Sequence, residues 1–192
     1  MIKFVLHGGN MKECLVENKI FFNEITSGFD KKVKILLVPF ALEKKYWQDS
    51  YIKYTERFKT YIVNLSFEMI LASENEDDFL SQIKSSDIIF FCGGNENLIK
   101  EHITNVNRLY DCFSDKVIVG TSAGANIFST CYYSNDRNLI ESGFGFLNIK
   151  TICHFSKEKN NDKFEILRKS NKEKGIKAYA LEEGQFISLY KE

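Results

Sequence analysis

Short, continuous runs of apolar residues alternate with longer amphipathic stretches, and this alternation is what most limits the folds open to the chain. The runs are rich in β-branched and aromatic residues, and they are 2–9, 33–40, 67–72, 87–94 and 116–122. Runs of this kind are typical of strands buried on both faces. Between them, three stretches place apolar residues three and four positions apart, which predicts helices; these are 46–64, 74–86 and 95–113.

This alternation predicts an α/β fold. Strands that alternate with helices form βαβ units, so we expect a mostly parallel sheet with helices on both faces. The pattern is less regular after residue 130. There we predict a loop or short hairpin, a strand, a helix, and two strands about a turn at Glu183 and Gly184; their ranges are 131–146, 149–155, 161–175 and 177–192. With 192 residues and no linker rich in Gly, Ser or Pro, the chain is expected to form a single domain, 1–192.

Composition argues against several classes of function. The 26 basic residues balance the 26 acidic ones, so we expect neither nucleic acid nor a membrane surface as a partner. No signal peptide and no apolar window of about 18 residues is visible. Five cysteines, odd in number and without C-x-x-C spacing, argue against a disulfide framework and a structural zinc site. A reducing cytoplasm is therefore the expected location.

The same residues predict no cofactor and leave the oligomeric state open. The histidines are far apart and no clustered carboxylates appear, so we expect neither a metal nor an organic cofactor. The aromatic-rich segment 46–64 fits either the core or the face of a homodimer, and we favour the core.

Small and polar groups follow three of the predicted strands: HGGN at 7–10, CGGN at 92–95 and GTSAG at 120–124. In parallel sheets, chemistry collects just beyond the carboxyl ends of the strands. A serine at a sharp turn from strand to helix forms a nucleophile elbow, and Ser122 occupies that position. Gly120 and Gly124 would relieve crowding there. The alternative is a turn of small residues needed only for packing the helix on the sheet.

A nucleophilic serine needs a base, and the base needs an acid to orient it. Of the three histidines, His102 lies in a surface-type helix and His7 fits a structural role about as well as a functional one. His154, at the end of the strand 149–155, is the best candidate base. The candidate acids lie at a strand end or in the loop after the elbow: Glu182, Glu183, Asp136 and Glu141. The order Ser122, His154, Glu183 differs from that of α/β-hydrolases, in which the acid precedes the histidine.

Stabilisation of an oxyanion needs two donors. The backbone N–H of Ala123 directly follows Ser122 and is one candidate. The other is CGGN, because Gly93 and Gly94 allow the backbone to approach a ligand closely. A tight turn from strand to helix would explain the glycine pair equally well.

The segments CGGNENL, VIVGTSAGAN, ICHF and ALEEG, in this order, resemble peptidase family S51, which contains the α-aspartyl dipeptidases (peptidase E) and the cyanophycinases. The resemblance runs from about residue 2 to the carboxyl terminus. It implies a fold similar to that of class I glutamine amidotransferases, a flavodoxin-like three-layer sandwich. It also implies a role for each matched residue: Ser122 as nucleophile, His154 as base, Glu183 as acid, Gly94 and Ala123 as oxyanion donors, and Asn95 and Asn126 in the substrate pocket.

The resemblance implies a serine exopeptidase that acts on dipeptides or very short peptides. After its catalytic histidine, peptidase E carries an arginine-containing stretch associated with binding the aspartyl side chain. Here the region 156–170 has no arginine before Arg168, although Lys157, Lys159 and Lys163 are present. A lysine cannot reproduce a bidentate clamp, so a preference for an acidic amino-terminal residue is left open. The alternatives are an amidase or esterase for a small acyl compound, and an inactive binding module of the same fold.

Overall fold

A computed structural model describes residues 1–170 and 175–192 of the chain. In chain order, the strands are β1 (Ile2–His7), β2 (Val33–Val38), β3 (Phe67–Leu71), β4 (Ile88–Phe91), β5 (Val117–Thr121), β6 (Ser129–Ser134), β7 (Leu139–Ser142), β8 (Leu147–Phe155), β9 (Lys177–Glu182) and β10 (Phe186–Lys191). The helices are α1 (Leu15–Thr26), α2 (Trp47–Tyr61), α3 (Glu76–Lys84), α4 (Glu96–His102), α5 (Val106–Tyr110), α6 (Ala123–Asn126) and α7 (Lys157–Lys169).

The first sheet has six strands in the order β10-β1-β5-β4-β2-β3. The five strands from β1 to β3 in this order run parallel, and β10 pairs antiparallel with β1 at the edge. Successive residues of one strand pack on opposite faces, as Ile35 and Leu36 do. Helices α1 and α2 cover one face through Phe21, Phe22 and Phe58, and α3, α4 and α5 contribute to the core on the other face.

A second sheet of four strands has the order β7-β6-β8-β9, in which only β7 is antiparallel to its neighbour. One face of β8 joins the core of the first sheet through Ile149 and Cys153. The opposite face holds Ile152 against Leu167 of α7. The two sheets therefore share one core, and α7 closes the outer side of the second.

The predicted fold class is confirmed: mostly parallel sheets are flanked by helices in a three-layer α/β arrangement. Several elements differ in detail from the sequence prediction. The turn at Glu183 is present, but β9 and β10 on either side of it pair in different sheets. The stretch 95–113 forms two helices, since Asn105 accepts a hydrogen bond from the N–H of Arg108 at 3.2 Å and starts a new helix. Helix α1 was not predicted, and the final residues of the predicted helix 161–175 lie outside the described residues.

Backbone hydrogen bonds join the two sheets at the carboxyl end of β1. The N–H of His154 donates to the carbonyl of Gly8 at 2.9 Å, and the N–H of Gly184 donates to the carbonyl of Gly9 at 3.0 Å. These bonds bring β8 and the β9–β10 turn against the strand ends of the first sheet. Among the helices of the described residues, none has the length and apolar character needed to cross a bilayer.

Candidate active site

Ser122 stands at a strained turn between β5 and α6. Its backbone has φ 52° and ψ −113°, which is uncommon for a residue with a side chain. The Ser122 N–H donates to the carbonyl of His7 at 2.9 Å, which ties the turn to β1. A Cβ atom at Gly120 would lie 2.2 Å from the carbonyl oxygen of Gly124, so the two ends of the turn approach too closely for a side chain. Helix α6, which follows the turn, is only four residues long.

Ser122, His154 and Glu183 form a continuous hydrogen-bonded array. The Oγ of Ser122 lies 2.9 Å from Nε2 of His154, and Nδ1 of His154 lies 3.1 Å from Oε1 of Glu183. His154 has φ 51°, at the point where the pairing register of β8 with β9 shifts. This distortion near the end of β8 is what turns the imidazole towards the serine. The three predicted residues therefore meet, although they come from the β5–α6 turn, from strand β8 and from the β9–β10 turn.

Asn10 orients the carboxylate of Glu183 from the other side. Its Nδ2 donates to Oε2 of Glu183 at 2.7 Å. The hydrogen bond from Asn10 is the largest cause that holds the pKa of Glu183 below its usual value, and the hydrogen bond with His154 is the next. Glu183 is consequently ionised at neutral pH and available to hold an imidazolium.

A cavity of about 460 Å³ opens over this array. Its lining comes from the ends of β1, β4, β5 and β8, from the β9–β10 turn and from α2: Gly9, Asn10, Met11, Lys12, Tyr54, Arg57, Gly93, Gly94, Thr121, Ser122, His154 and Glu183. Gly94 thus lies in the same cavity as Ser122. The N–H of Ala123 belongs to the first turn of α6, where the helix itself offers no acceptor. Of the two predicted oxyanion donors, Ala123 therefore directly follows Ser122 and Gly94 lines the same cavity.

Neither Asn95 nor Asn126 is among the described residues that line this cavity. The Oδ1 of Asn95 accepts from the N–H of Asn97 at 2.9 Å and caps α4. Asn126 is 5% exposed and its amide is engaged on both sides. It donates to Glu96 at 2.9 Å and accepts from the hydroxyl of Thr151 at 3.1 Å. Asn126 therefore lies beneath the elbow, in a buried network.

This network connects the serine turn to the histidine strand. The Sγ of Cys153, next to His154 in the chain, lies 3.2 Å from Oδ1 of Asn126 and 3.5 Å from the carbonyl oxygen of Ser122. Asn126 thus contacts both elements that must be held at a fixed separation. Because buried polar groups are costly when unpaired, the network resists displacement of either element.

The other candidate histidines and acids lie in different surroundings. His7 is fully buried, and its Nδ1 accepts from the N–H of Gly9 at 3.0 Å. Burial, followed by the nearby charge of His154, lowers the pKa of His7 to about 4. His102 stacks on Phe40 with ring centroids 4.8 Å apart. Glu141 accepts from the hydroxyl of Tyr132 at 2.9 Å, and Glu182 and Asp136 are exposed.

Two residues that the sequence analysis did not select contribute to the site. Asn10 carried a partial signal, since it ends the HGGN group that marked a strand end. Arg57 carried none, because an arginine in an amphipathic helix is normally a solvated surface residue. Within the described residues, no group of three or more His, Cys, Asp or Glu side chains is arranged to hold a metal ion.

Known proteins are similar to this chain over nearly its whole length. The model of peptidase family S51 matches residues 4–192. No curated protein sequence matches the chain. The solved structure of a peptidase from an acI-B1 Actinobacterium is similar with a TM-score of 0.70 and 20% identity, over 98% of this chain and 84% of that one. A putative peptidase E from Listeria monocytogenes EGD-e is similar with a TM-score of 0.67 and 16% identity, over 98% of this chain and 94% of that one. At these identities the likeness is one of fold.

Proposed function

The chain belongs to peptidase family S51, and we propose that it is a serine exopeptidase that hydrolyses dipeptides or very short peptides. The observation that carries the proposal is the array of Ser122, His154 and Glu183, with contacts of 2.9 and 3.1 Å at the edge of an open cavity. A nucleophile in contact with its base, and a base in contact with its acid, is the arrangement that acyl transfer requires.

Each residue of the array has one role in the proposed reaction. The Oγ of Ser122 attacks the scissile carbonyl while Nε2 of His154 takes its proton. Glu183 stabilises the imidazolium, and the N–H groups of Ala123 and Gly94 donate to the oxyanion. His154 then protonates the leaving amine, the C–N bond breaks and an acyl-serine remains. Water, deprotonated by His154, attacks the acyl carbon. The bond between that carbon and Oγ of Ser122 then breaks, His154 returns the proton to Oγ, and the carboxylic acid product leaves.

The size of the cavity supports a short substrate. About 460 Å³ is in the range of sites that enclose small molecules, and it suits a dipeptide better than an extended chain. The same proposal takes residues 1–192 as one cytoplasmic domain that needs no cofactor and acts on a small peptide, either alone or as a homodimer.

Substitution of the nucleophile tests the proposal. A panel of Asp-X, Glu-X and neutral dipeptides, with simple amides and esters beside them, is incubated with the wild type, Ser122→Ala and the control Ser114→Ala. Ser114 is exposed and its hydroxyl donates to Asp115. Ser122→Ala should lose several powers of ten in turnover, because a triad without its nucleophile retains little activity, whereas Ser114→Ala should match the wild type. Near-normal peptide hydrolysis by Ser122→Ala would contradict the assignment.

The same panel separates the alternatives. An amidase or esterase would cleave the simple amides or esters and leave the dipeptides intact. An inactive binding module would cleave none of them. The 2.9 Å contact between Ser122 and His154 argues against the inactive module, since a base that has lost its function has no need to hold this distance.

A further inference from the structure

Arg57 differs from the other three arginines in having no acidic partner among the described residues. Among the described residues, Arg108, Arg137 and Arg168 each form a salt bridge with a carboxylate. Arg57 has no described carboxylate within salt-bridge distance, yet its side chain is half-buried and lines the cavity over Ser122. An arginine left unpaired in a partly desolvated site retains five N–H donors for a ligand.

Local packing holds Arg57 at the cavity wall. It lies on α2 one residue before Phe58, whose fully buried ring anchors that helix against the first sheet. The guanidinium carbon lies 5.3 Å from the centroid of the Tyr54 ring, one helical turn earlier. Tyr54 lines the same cavity. A guanidinium supported by an aromatic ring loses less freedom on binding than one in open solvent.

The charges around the cavity favour an anionic ligand. The described lining contains two permanent cations, Lys12 and Arg57, and one carboxylate, Glu183. Glu183 accepts from the neutral amide of Asn10 and contacts His154, so its carboxylate offsets one of the two cations. The described lining therefore has one net positive charge, and neither Lys12 nor Arg57 has a salt-bridge partner among the described residues.

We propose that Arg57, assisted by Lys12, binds a carboxylate of the substrate and determines its specificity. This inference rests on the proposed peptidase function and adds to it the chemistry that the site recognises. A dipeptide offers two such groups: an acidic side chain on its amino-terminal residue, and the terminal carboxylate of its leaving residue. Arg57 binds either through two parallel N–H···O bonds, which a lysine cannot form.

Arg57 also supplies to this cavity the guanidinium group that the segment after His154 does not. The only arginine within 156–170 is Arg168, which is exposed and pairs with Glu165 at 2.7 Å. Lys157 and Lys159 line a neighbouring cavity, which shares only His154 and Glu183 with the lining of the first. In this chain the planar, bidentate group is thus supplied from α2.

The test removes one carboxylate at a time from the ligand and the guanidinium from the protein. Affinities for Asp-Leu, Asn-Leu and Asp-Leu-amide are measured by calorimetry in the Ser122→Ala background, where no turnover occurs. The same affinities are measured in double variants that combine Ser122→Ala with Arg57→Gln, Arg57→Lys or the control Arg168→Gln. Circular dichroism and thermal unfolding establish that each variant is folded. Arg57→Lys keeps the charge and serves if Arg57→Gln does not fold.

Asp-Leu should bind about 10- to 100-fold more weakly after Arg57→Gln, because a charge-assisted bidentate contact is lost. The loss of affinity should be smaller after Arg57→Lys, which keeps the positive charge. If Arg57 binds the acidic side chain, the preference for Asp-Leu over Asn-Leu disappears and the preference over the amide remains. If it binds the terminal carboxylate, the reverse holds. Equal affinities in Arg57→Gln and Arg168→Gln, including no binding in either, would overturn the inference. Dipeptide hydrolysis by the wild type, measured separately, shows whether the peptidase proposal itself stands.

Discussion

Gly9 should be essential for the position of the proposed catalytic histidine, and its substitution by alanine tests the geometry of the site directly. Gly9 has φ 114°, a conformation that residues with side chains rarely adopt. A Cβ atom built there would stand 2.2 Å from Cε1 and 2.5 Å from Nε2 of His154. The Nε2 atom is the one that contacts Ser122.

The size of the effect follows from these distances. Carbon atoms in contact are about 3.5 Å apart, so the imidazole has to move by roughly 1 Å or more to accept the new methyl group. A displacement of about 1 Å at a reacting group costs on the order of 100-fold in rate. The positive φ adds about 1–3 kcal/mol of backbone strain, which lowers stability but does not act on the site.

Gly28→Ala separates the two effects. Gly28 also has a positive φ, 91°, but a Cβ atom there would meet nothing within 4 Å. Both variants should unfold at lower temperature than the wild type. Only Gly9→Ala should lose on the order of 100-fold in kcat/KM for dipeptides and in the labelling rate of Ser122 by a fluorophosphonate. If folded Gly9→Ala keeps the activity of Gly28→Ala, the clash does not matter and the argument from the contact is refuted.

Three further predictions concern buried polar groups. The folded-state pKa of His7, about 4, lies below the usual histidine value of 6.5, so the unfolded chain binds the proton more readily between these pH values. The contribution of neutral His7 to the free energy of unfolding is therefore complete above pH 6.5, and about 3 kcal/mol of it is lost as the pH falls towards 4. In denaturant unfolding, the stability of His7→Asn should decrease less steeply over this pH range than that of the wild type. Asn126→Leu leaves Glu96 without its buried donor, so the free energy of unfolding should fall by about 1–3 kcal/mol. The kcat for dipeptides should also fall, with KM unchanged. An equal fall in kcat in an exposed control such as Asn107→Leu would contradict this prediction. Lys150→Met removes the ammonium that donates to the carbonyl of Ser170 at 2.9 Å, and should lower stability by about 1–3 kcal/mol while dipeptide hydrolysis stays at the wild-type rate.

Much of the site was accessible from local sequence patterns. The serine turn could be predicted because a strand that ends in Gly-Thr-Ser-Ala-Gly has few conformations compatible with its small residues. His154 could be selected because it ends a strand-like segment, and parallel strands present their carboxyl ends at one edge. The same pattern left Glu182 and Glu183 both open as the acid, and the resemblance to family S51 favoured Glu183. The distances of 2.9 and 3.1 Å that join Ser122, His154 and Glu183 are a property of the structure, since they depend on hydrogen bonds between β1, β8 and the β9–β10 turn.

Asn126 illustrates why a matched motif position does not specify a contact. The sequence places it four residues after the proposed nucleophile, a spacing that is compatible with the pocket and with the interior. The short helix α6 turns its amide towards Glu96 and Thr151, and burial then requires that these partners satisfy it. A role in positioning the turn is therefore better supported than direct contact with substrate.

The sequence by itself determined the strand and helix alternation, the turn at Ser122 and the order of the three proposed catalytic residues. These follow from period, turn chemistry and spacing, which act over a few neighbouring residues. Only the tertiary structure decided that β9 and β10 separate into two sheets and that Arg57 reaches the cavity from α2. A strand pattern reports that a segment is buried and leaves its hydrogen-bonding partner open. An arginine on a helix likewise acquires its surroundings only when distant segments pack around it.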